Sequence, residues 1–205
     1  MPSKKSLVPV RAAELAFDAH SYIRGFLTFI GEDPEREGLL ETPARIVKAW
    51  GEWFSGYQMD PAVILKCFED GAHPESHNVG SIVILTNIPV ESHCEHHGAR
   101  VTGVAHVAYI PKGKIVGISK LDRLVQCFAR RLQVQERMTN QIVDALEEHL
   151  APLGAAVIVT ATHSCMASRG VNHPNVATTT SSLRGVFRHN PEARAELMSL
   201  IAMAK

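Results

Sequence analysis

The chain has 205 residues, 45% of them hydrophobic and 20% charged, the balance of a globular domain with a sizeable core. Twenty-one basic residues offset 21 acidic ones, so no global field draws the chain to nucleic acid or an anionic membrane, and any anion must be held by a local cluster of cations. Apolar runs such as Ala155-Ala156-Val157-Ile158-Val159 are too short to span a bilayer, and Arg11 and Glu14 interrupt any signal-type segment after Lys4 and Lys5, which points to a cytoplasmic protein.

In chain order, residues 11–30 read as a helix carrying Leu15, Tyr22, Phe26 and Phe29 along one side. Thr42 and Pro43 form a helix start, cap then first position, and Ile46, Trp50, Trp53 and Tyr57 follow at spacings of three and four. Residues 70–80 have the composition of a loop, placing a boundary near residue 78 between a helical N-terminal region (1–78) and a sheet domain (79–205). Residues 81–90 and 101–110 are β-branched and read as strands, and Pro111 to Lys114 reads as a hairpin turn into a further strand at 115–118. Ser119 then caps a helix with the apolar face Leu121, Leu124, Val125, Phe128 and Leu132. A second helix, from Gln135, carries Met138, Ile142, Leu146 and Leu150. Strands over 154–162 and 178–187 and a helix opened by Pro191 complete an α+β layout, an antiparallel sheet with helices on one face.

Four cysteines are too few for a disulfide scaffold of this length; Cys67 and Cys127 sit among apolar neighbours and read as buried thiols. Eleven histidines is a high count, and six of them fall between His73 and His106. Within that run, Cys94 and His97 form a Cys-x2-His pair able to share one ion. His163 and Cys165 lie at the end of a predicted strand, where residues two apart face one way. Adjacent His96 and His97 point opposite ways in an extended chain, so at most one joins the same ion. The arithmetic favours three protein ligands, Cys94, His97 and Cys165, with a fourth position open as in catalytic zinc, leaving His96 and His163 for proton transfer. The alternative is a closed Cys2His2 site that only staples the fold.

Cations cluster in three places. Ser119-Lys120-Leu121-Asp122-Arg123 begins a helix after a strand, a terminus receptive to phosphate, with Lys120 and Arg123 on one face. Arg45 and Lys48 repeat that spacing on the earlier helix, and Arg169 follows Cys165 by four residues. For both helical pairs the competing reading is a solvated helix face. Gln135 and Glu136 open the next helix, where an acid either favours the helix dipole or accepts two N–H donors from a guanine-like edge.

Six stretches in this order, Glu41-Thr42-Pro43-Ala44-Arg45-Ile46, Cys94-Glu95-His96-His97, Val107-Ala108-Tyr109-Ile110-Pro111-Lys112, Gly117-Ile118-Ser119-Lys120, Gln133-Val134-Gln135-Glu136-Arg137, and His163-x-Cys165 through Arg169-Gly170, resemble GTP cyclohydrolase I from about residue 35 to 190. The resemblance implies the tunnelling fold, an antiparallel sheet with two helices on one face, assembled as a homodecamer of two stacked pentamers with active sites at subunit interfaces. It implies hydrolysis and rearrangement of GTP to 7,8-dihydroneopterin triphosphate and formate, the entry to folate and other pterins. Carried over by motif, Cys94, His97 and Cys165 would bind Zn2+, and His96 and His163 would be acid–base groups. Ser119 would contact the ribose. Lys120, Arg123 and Arg169 would take the triphosphate, with Arg45 and Lys48 from a neighbouring subunit, and Gln135 and Glu136 would read the guanine edge. Rival readings are a tunnelling-fold relative acting on another purine or pterin, and a catalytically silent ring-forming binding protein. Three places depart from the family's usual residues: Gly98-Ala99-Arg100 after the paired histidines, Val104, and His173-Pro174-Asn175.

Overall fold

The computed structural model describes residues 12–66, 68–69 and 81–204. The loop expected over 70–80, the boundary near residue 78 and Cys67 lie outside the described residues, as does the side chain of Leu15. The chain divides into two compact units, one ending at Glu52 and the other beginning at Trp53. Among the described residues no helix is long and apolar enough to cross a membrane.

The first unit is built on α1 (Ala12–Phe29) and α2 (Thr42–Trp53). The expected apolar stripe of α1 is rotated by one position. Ile23 and Leu27 are buried, whereas Tyr22, Phe26 and Phe29 are 71%, 56% and 85% exposed. On α2, Trp50 and Trp53 are also exposed.

The second unit opens with α3 (Pro61–Ile64), capped by the Asp60 side chain, and β1 (Phe68–Glu69). There follow β2 (Val83–Cys94), β3 (Arg100–Ile110), β4 (Lys114–Ile115), α4 (Ile118–Ala129), β5 (Leu132–Gln133) and α5 (Gln135–Leu150). The chain closes with β6 (Gly154–His163), α6 (Ser164–Ala167), β7 (Ala177–Gly185), α7 (Val186–His189) and α8 (Pro191–Met203). Three expectations change. Residues 111–114 do not fold β4 back on β3; β4 pairs with β1 instead. Ser119 does not cap α4, because Gly117 holds the cap position and Ser119 is the second helical residue. Leu132 has left the helix for β5 and is 40% exposed, while the other four residues of its expected face are buried.

The main sheet runs β5-β2-β3-β6-β7, antiparallel except for the short β2–β5 pairing. This α+β sheet, with α4 and α5 on one face, is the tunnelling-fold arrangement. Strand alternation divides the interior. Val107, Tyr109, Ala155, Val157 and Val159 face the helices and pack with Leu121, Leu124, Ile142 and Leu146. Their neighbours Ala108, Ile110, Ala156 and Ile158 point the other way and are covered by Phe187, Leu197 and Ile201. The C-terminal helix therefore covers part of the opposite face.

A β-bulge in β2 aims the site. Leu85 pairs with Val107 but Ile88 pairs with Ala105, so β2 carries one extra residue there, with Asn87 at φ 55. One extra residue flips every side chain beyond it to the other face. Before the bulge Val83 and Leu85 join the helix-side core; after it Ile88, Val90 and Cys94 do. Without the bulge Cys94 would point to the opposite face, where His93 lies against Trp53 and Phe54 at ring-centroid distances of 5.4 and 4.9 Å.

Gly103 lets β3 and β6 approach. A Cβ there would fall 2.1 Å from the Thr160 carbonyl oxygen and 2.5 Å from Ala161 Cα. Gly103→Ala is expected to destabilise the sheet unit by about 1–3 kcal/mol, the scale of overpacking, read from chemical denaturation.

His93 offers a pH test. Burial, seconded by the charge of Arg100 and opposed by Glu91, holds its pKa below 6.5. The folded state thus favours the neutral ring, so its contribution is fully present above about 6.5 and is lost as pH falls through the lower folded value. The denaturation midpoint of metal-free protein is expected to drop as pH falls below about 6.5, and His93→Phe, which keeps the aromatic cluster, should flatten that drop.

Candidate metal centre and active site

Register brings the chemistry to one end of the sheet. His93 of β2 pairs with Arg100 of β3, and Val101 pairs with His163, so the β2–β3 turn and the exit of β6 are neighbours. The turn closes on Cys94, whose carbonyl accepts from the N–H groups of His97 (3.3 Å) and Gly98 (2.8 Å), while its own N–H donates to Ala99 (2.8 Å). Gly98 sits at φ +61, a left-handed conformation suited to glycine. Arg100 donates to Glu91 across the hairpin at 2.8–2.9 Å. The Gly98-Ala99-Arg100 departure thus has a local explanation: a tight left-handed turn and a cross-strand ion pair. Glu95 of the same turn pairs with Arg137 of α5 at 2.6 Å. Sequence reasoning gave neither residue a role, although both stand inside quoted motifs.

Cys94, His97 and Cys165 form a group whose ligand atoms all lie within 4.8 Å of one another. In a tetrahedral zinc site with bonds of about 2.3 Å to sulfur and about 2.0 Å to nitrogen, the sulfur and nitrogen stand about 3.5 Å apart. Cys94 Sγ and His97 Nδ1 are 3.6 Å apart, so the donor set fits a metal ion. Burial and the adjacent Cys94 sulfur push the Cys165 thiol up, against the pull of Arg169. A bound cation would stabilise the Cys165 thiolate that these surroundings disfavour. The route to this group differs from the strand-alternation expectation. β6 ends at His163, and Cys165 sits on the short helix α6.

His163 Nε2 meets Gln135 Oε1 at 2.8 Å, and burial, partly offset by the charge of Glu136, lowers the ring's pKa. Gln135 is only 4% exposed, and its amide nitrogen contacts Val159 O, Thr178 O and Thr180 Oγ1 at 3.0–3.1 Å. Glu136, beside it in the first turn of α5, is exposed. His96 is exposed, as His97 beside it is; its side chain is 67% open, with its ring 6.3 Å from that of His97 and nearly perpendicular to it.

The expected cations are not all gathered around this group. Arg169, exposed, lies just beyond α6, close enough for its charge to act on Cys165. Ser119, Lys120 and Arg123 occupy the first two turns of α4, and α4 runs toward the metal end. Gln126 donates to Pro89 O, Ser92 Oγ reaches Arg131 O, and Gln133 pairs with Cys94. Going back from Ala129 to Lys120 therefore moves away from the metal group by about 14 Å of helix rise. Within one chain these three residues lie toward the far end of the sheet. Arg45 and Lys48 are on α2 in the other unit; both are exposed, and Arg45 is paired with Glu41.

Comparison with known proteins agrees with the motif order. The sequence model of the family GTP cyclohydrolase I matches residues 19–202. Relatives named GTP cyclohydrolase 1 include one from Janthinobacterium sp., 53% identical over 177 residues, covering 86% of this chain and 87% of that protein. Another, from Maricaulis maris, is 50% identical over 188 residues, covering 91% and 89%. A third, from Corynebacterium glutamicum, is 50% identical over 196 residues, covering 93% and 96%. With a Cys-His-Cys group able to hold a metal, a neighbouring histidine and identity of this extent over nearly its whole length, the chain belongs to the GTP cyclohydrolase I family of enzymes.

Proposed function

We propose that the protein is a zinc-dependent GTP cyclohydrolase I, converting GTP and water to 7,8-dihydroneopterin triphosphate and formate at the entry to folate and other pterins. The observation that carries the reading is the convergence of Cys94, His97 and Cys165, next to His163, which lies outside that group and is turned to Gln135. When bound, zinc supplies Lewis acidity that makes water acidic enough to act as hydroxide near neutral pH. Around it, His163 delivers a proton to the purine N7, which makes C8 electrophilic toward water. Opening of the five-membered ring then releases C8 as formate. The sugar opens, rearranges and closes onto the pyrimidine through proton transfers that fall to His96, exposed on its turn, and to Ser119 at the ribose. Glu136, exposed at the start of α5, accepts from the N–H donors of the guanine edge, and the resemblance gives Gln135 a share in that reading.

The triphosphate anchors the substrate without reacting. Lys120, Arg123, Arg169, Arg45 and Lys48 are its expected partners. Placement of Ser119, Lys120 and Arg123 away from their own chain's metal group fits a site completed by a neighbouring copy, as in a homodecamer of two pentamers. Two further features support assembly: among the described residues β7 forms an unpaired edge of the sheet, and aromatic surface on α1 and α2 stands exposed. The expected location is the cytoplasm. The test is formate release, with a fluorescent pterin after oxidation, across GTP and other purine nucleotides. GTP is expected to turn over best; zinc-loaded protein that released no formate from GTP would overturn the reading.

A further inference from the structure

The hydrogen-bond inventory around Gln135 decides more than its own orientation. The Val159 and Thr178 carbonyls can only accept, so the group facing them at 3.1 and 3.0 Å must be the amide nitrogen, whose two hydrogens they take. Turning the amide over would set its oxygen against both carbonyls. The nearby hydroxyls close the same pattern. Thr139 Oγ1 donates to the Gln135 carbonyl at 2.8 Å, so across their 2.7 Å contact Thr180 Oγ1 must donate to Thr139. Thr180 then presents a lone pair, not a hydrogen, toward the Gln135 amide nitrogen 3.1 Å away.

It follows that Gln135 Oε1 faces His163 Nε2, and an oxygen that can only accept requires a hydrogen on that nitrogen. We propose that Gln135 is a positioning residue that locks His163 as the Nε2–H tautomer, leaving Nδ1 as the one ring nitrogen open to exchange a proton with substrate. The inference rests on the acid–base role of His163 proposed above. It gives Gln135 a different task from reading the guanine edge, since the side chain is 4% exposed, with both amide hydrogens on carbonyls and its oxygen on His163. In this arrangement a proton leaves from Nδ1 of the charged ring, and the ring it leaves behind is neutral and still bonded to Gln135 through Nε2–H.

The test uses the zinc-loaded, full-length protein labelled with 15N-histidine, with the His163 resonances assigned by their loss in His163→Gln. The wild-type ring is expected to show a pyrrole-type Nε2 and a pyridine-type Nδ1. Gln135→Leu is expected to keep zinc and the KM for GTP, to mix the two tautomers, and to lower kcat by on the order of 10–100-fold, the scale for losing a group that orients another's ring. A wild-type ring carrying its proton on Nδ1 would overturn the proposal whether or not the variant folds. So would a variant whose KM rises and whose preference for guanine over other purines relaxes, because that result assigns Gln135 to the base. If the wild-type ring is Nε2–H but no formate is released from GTP, the proposed reaction fails and the tautomer assignment stands.

Discussion

Cys165→Ser is expected to leave the protein folded, to weaken zinc binding by well over about 100-fold, and to abolish measurable formate release from GTP. Loss of an outer partner alone typically costs 10–100-fold in metal affinity, and a direct thiolate ligand counts for more. The fold should survive because Cys165 is a half-buried residue on a four-residue helix, packed beside the core instead of within it. Metal analysis after dialysis, with circular dichroism as the control, reads the result. A serine variant that kept one zinc per subunit and full turnover would remove Cys165 from the ligand set.

His163→Gln is expected to separate binding from chemistry. Its ring is turned to Gln135, and it is absent from the group of mutually close ligand atoms. Zinc content should therefore stay at one per subunit while kcat falls by about 10²–10⁴-fold, the usual contribution of a positioned general acid or base. Zinc lost along with activity would mean that His163 is a fourth ligand and the site the closed Cys2His2 staple. The two variants thus distinguish the open site from the closed one, which spacing alone could not.

Much of this site is legible in the residues. The Cys94, His97 and Cys165 set follows from counting soft ligands near strand ends, and the buried faces of α4 and α5 follow from apolar periodicity. What escaped has physical reasons. Cys165 reaches the group from a helical turn, not from the strand on which the two-residue argument placed it. Cys94 faces the helix-side core only because of the bulge at Asn87, and a bulge carries no reliable signature in one sequence. Ser119 looked like a cap because it precedes an apolar periodicity, but the helix begins one residue earlier. The position of Lys120 and Arg123 relative to the metal group depends on which way α4 runs along β2, a tertiary fact that motif order does not contain. The resemblance assigns Gln135 to the guanine edge; its burial and the three acceptors around its amide nitrogen appear only once α5, β6 and β7 are packed.

The most direct test of a zinc-dependent cyclohydrolase is to add zinc stepwise to metal-free enzyme while counting formate released from GTP. Turnover is expected to rise in proportion to added zinc and to level off at one ion per subunit. Full turnover in the metal-free enzyme, or no formate with one zinc bound per subunit, would contradict the assignment.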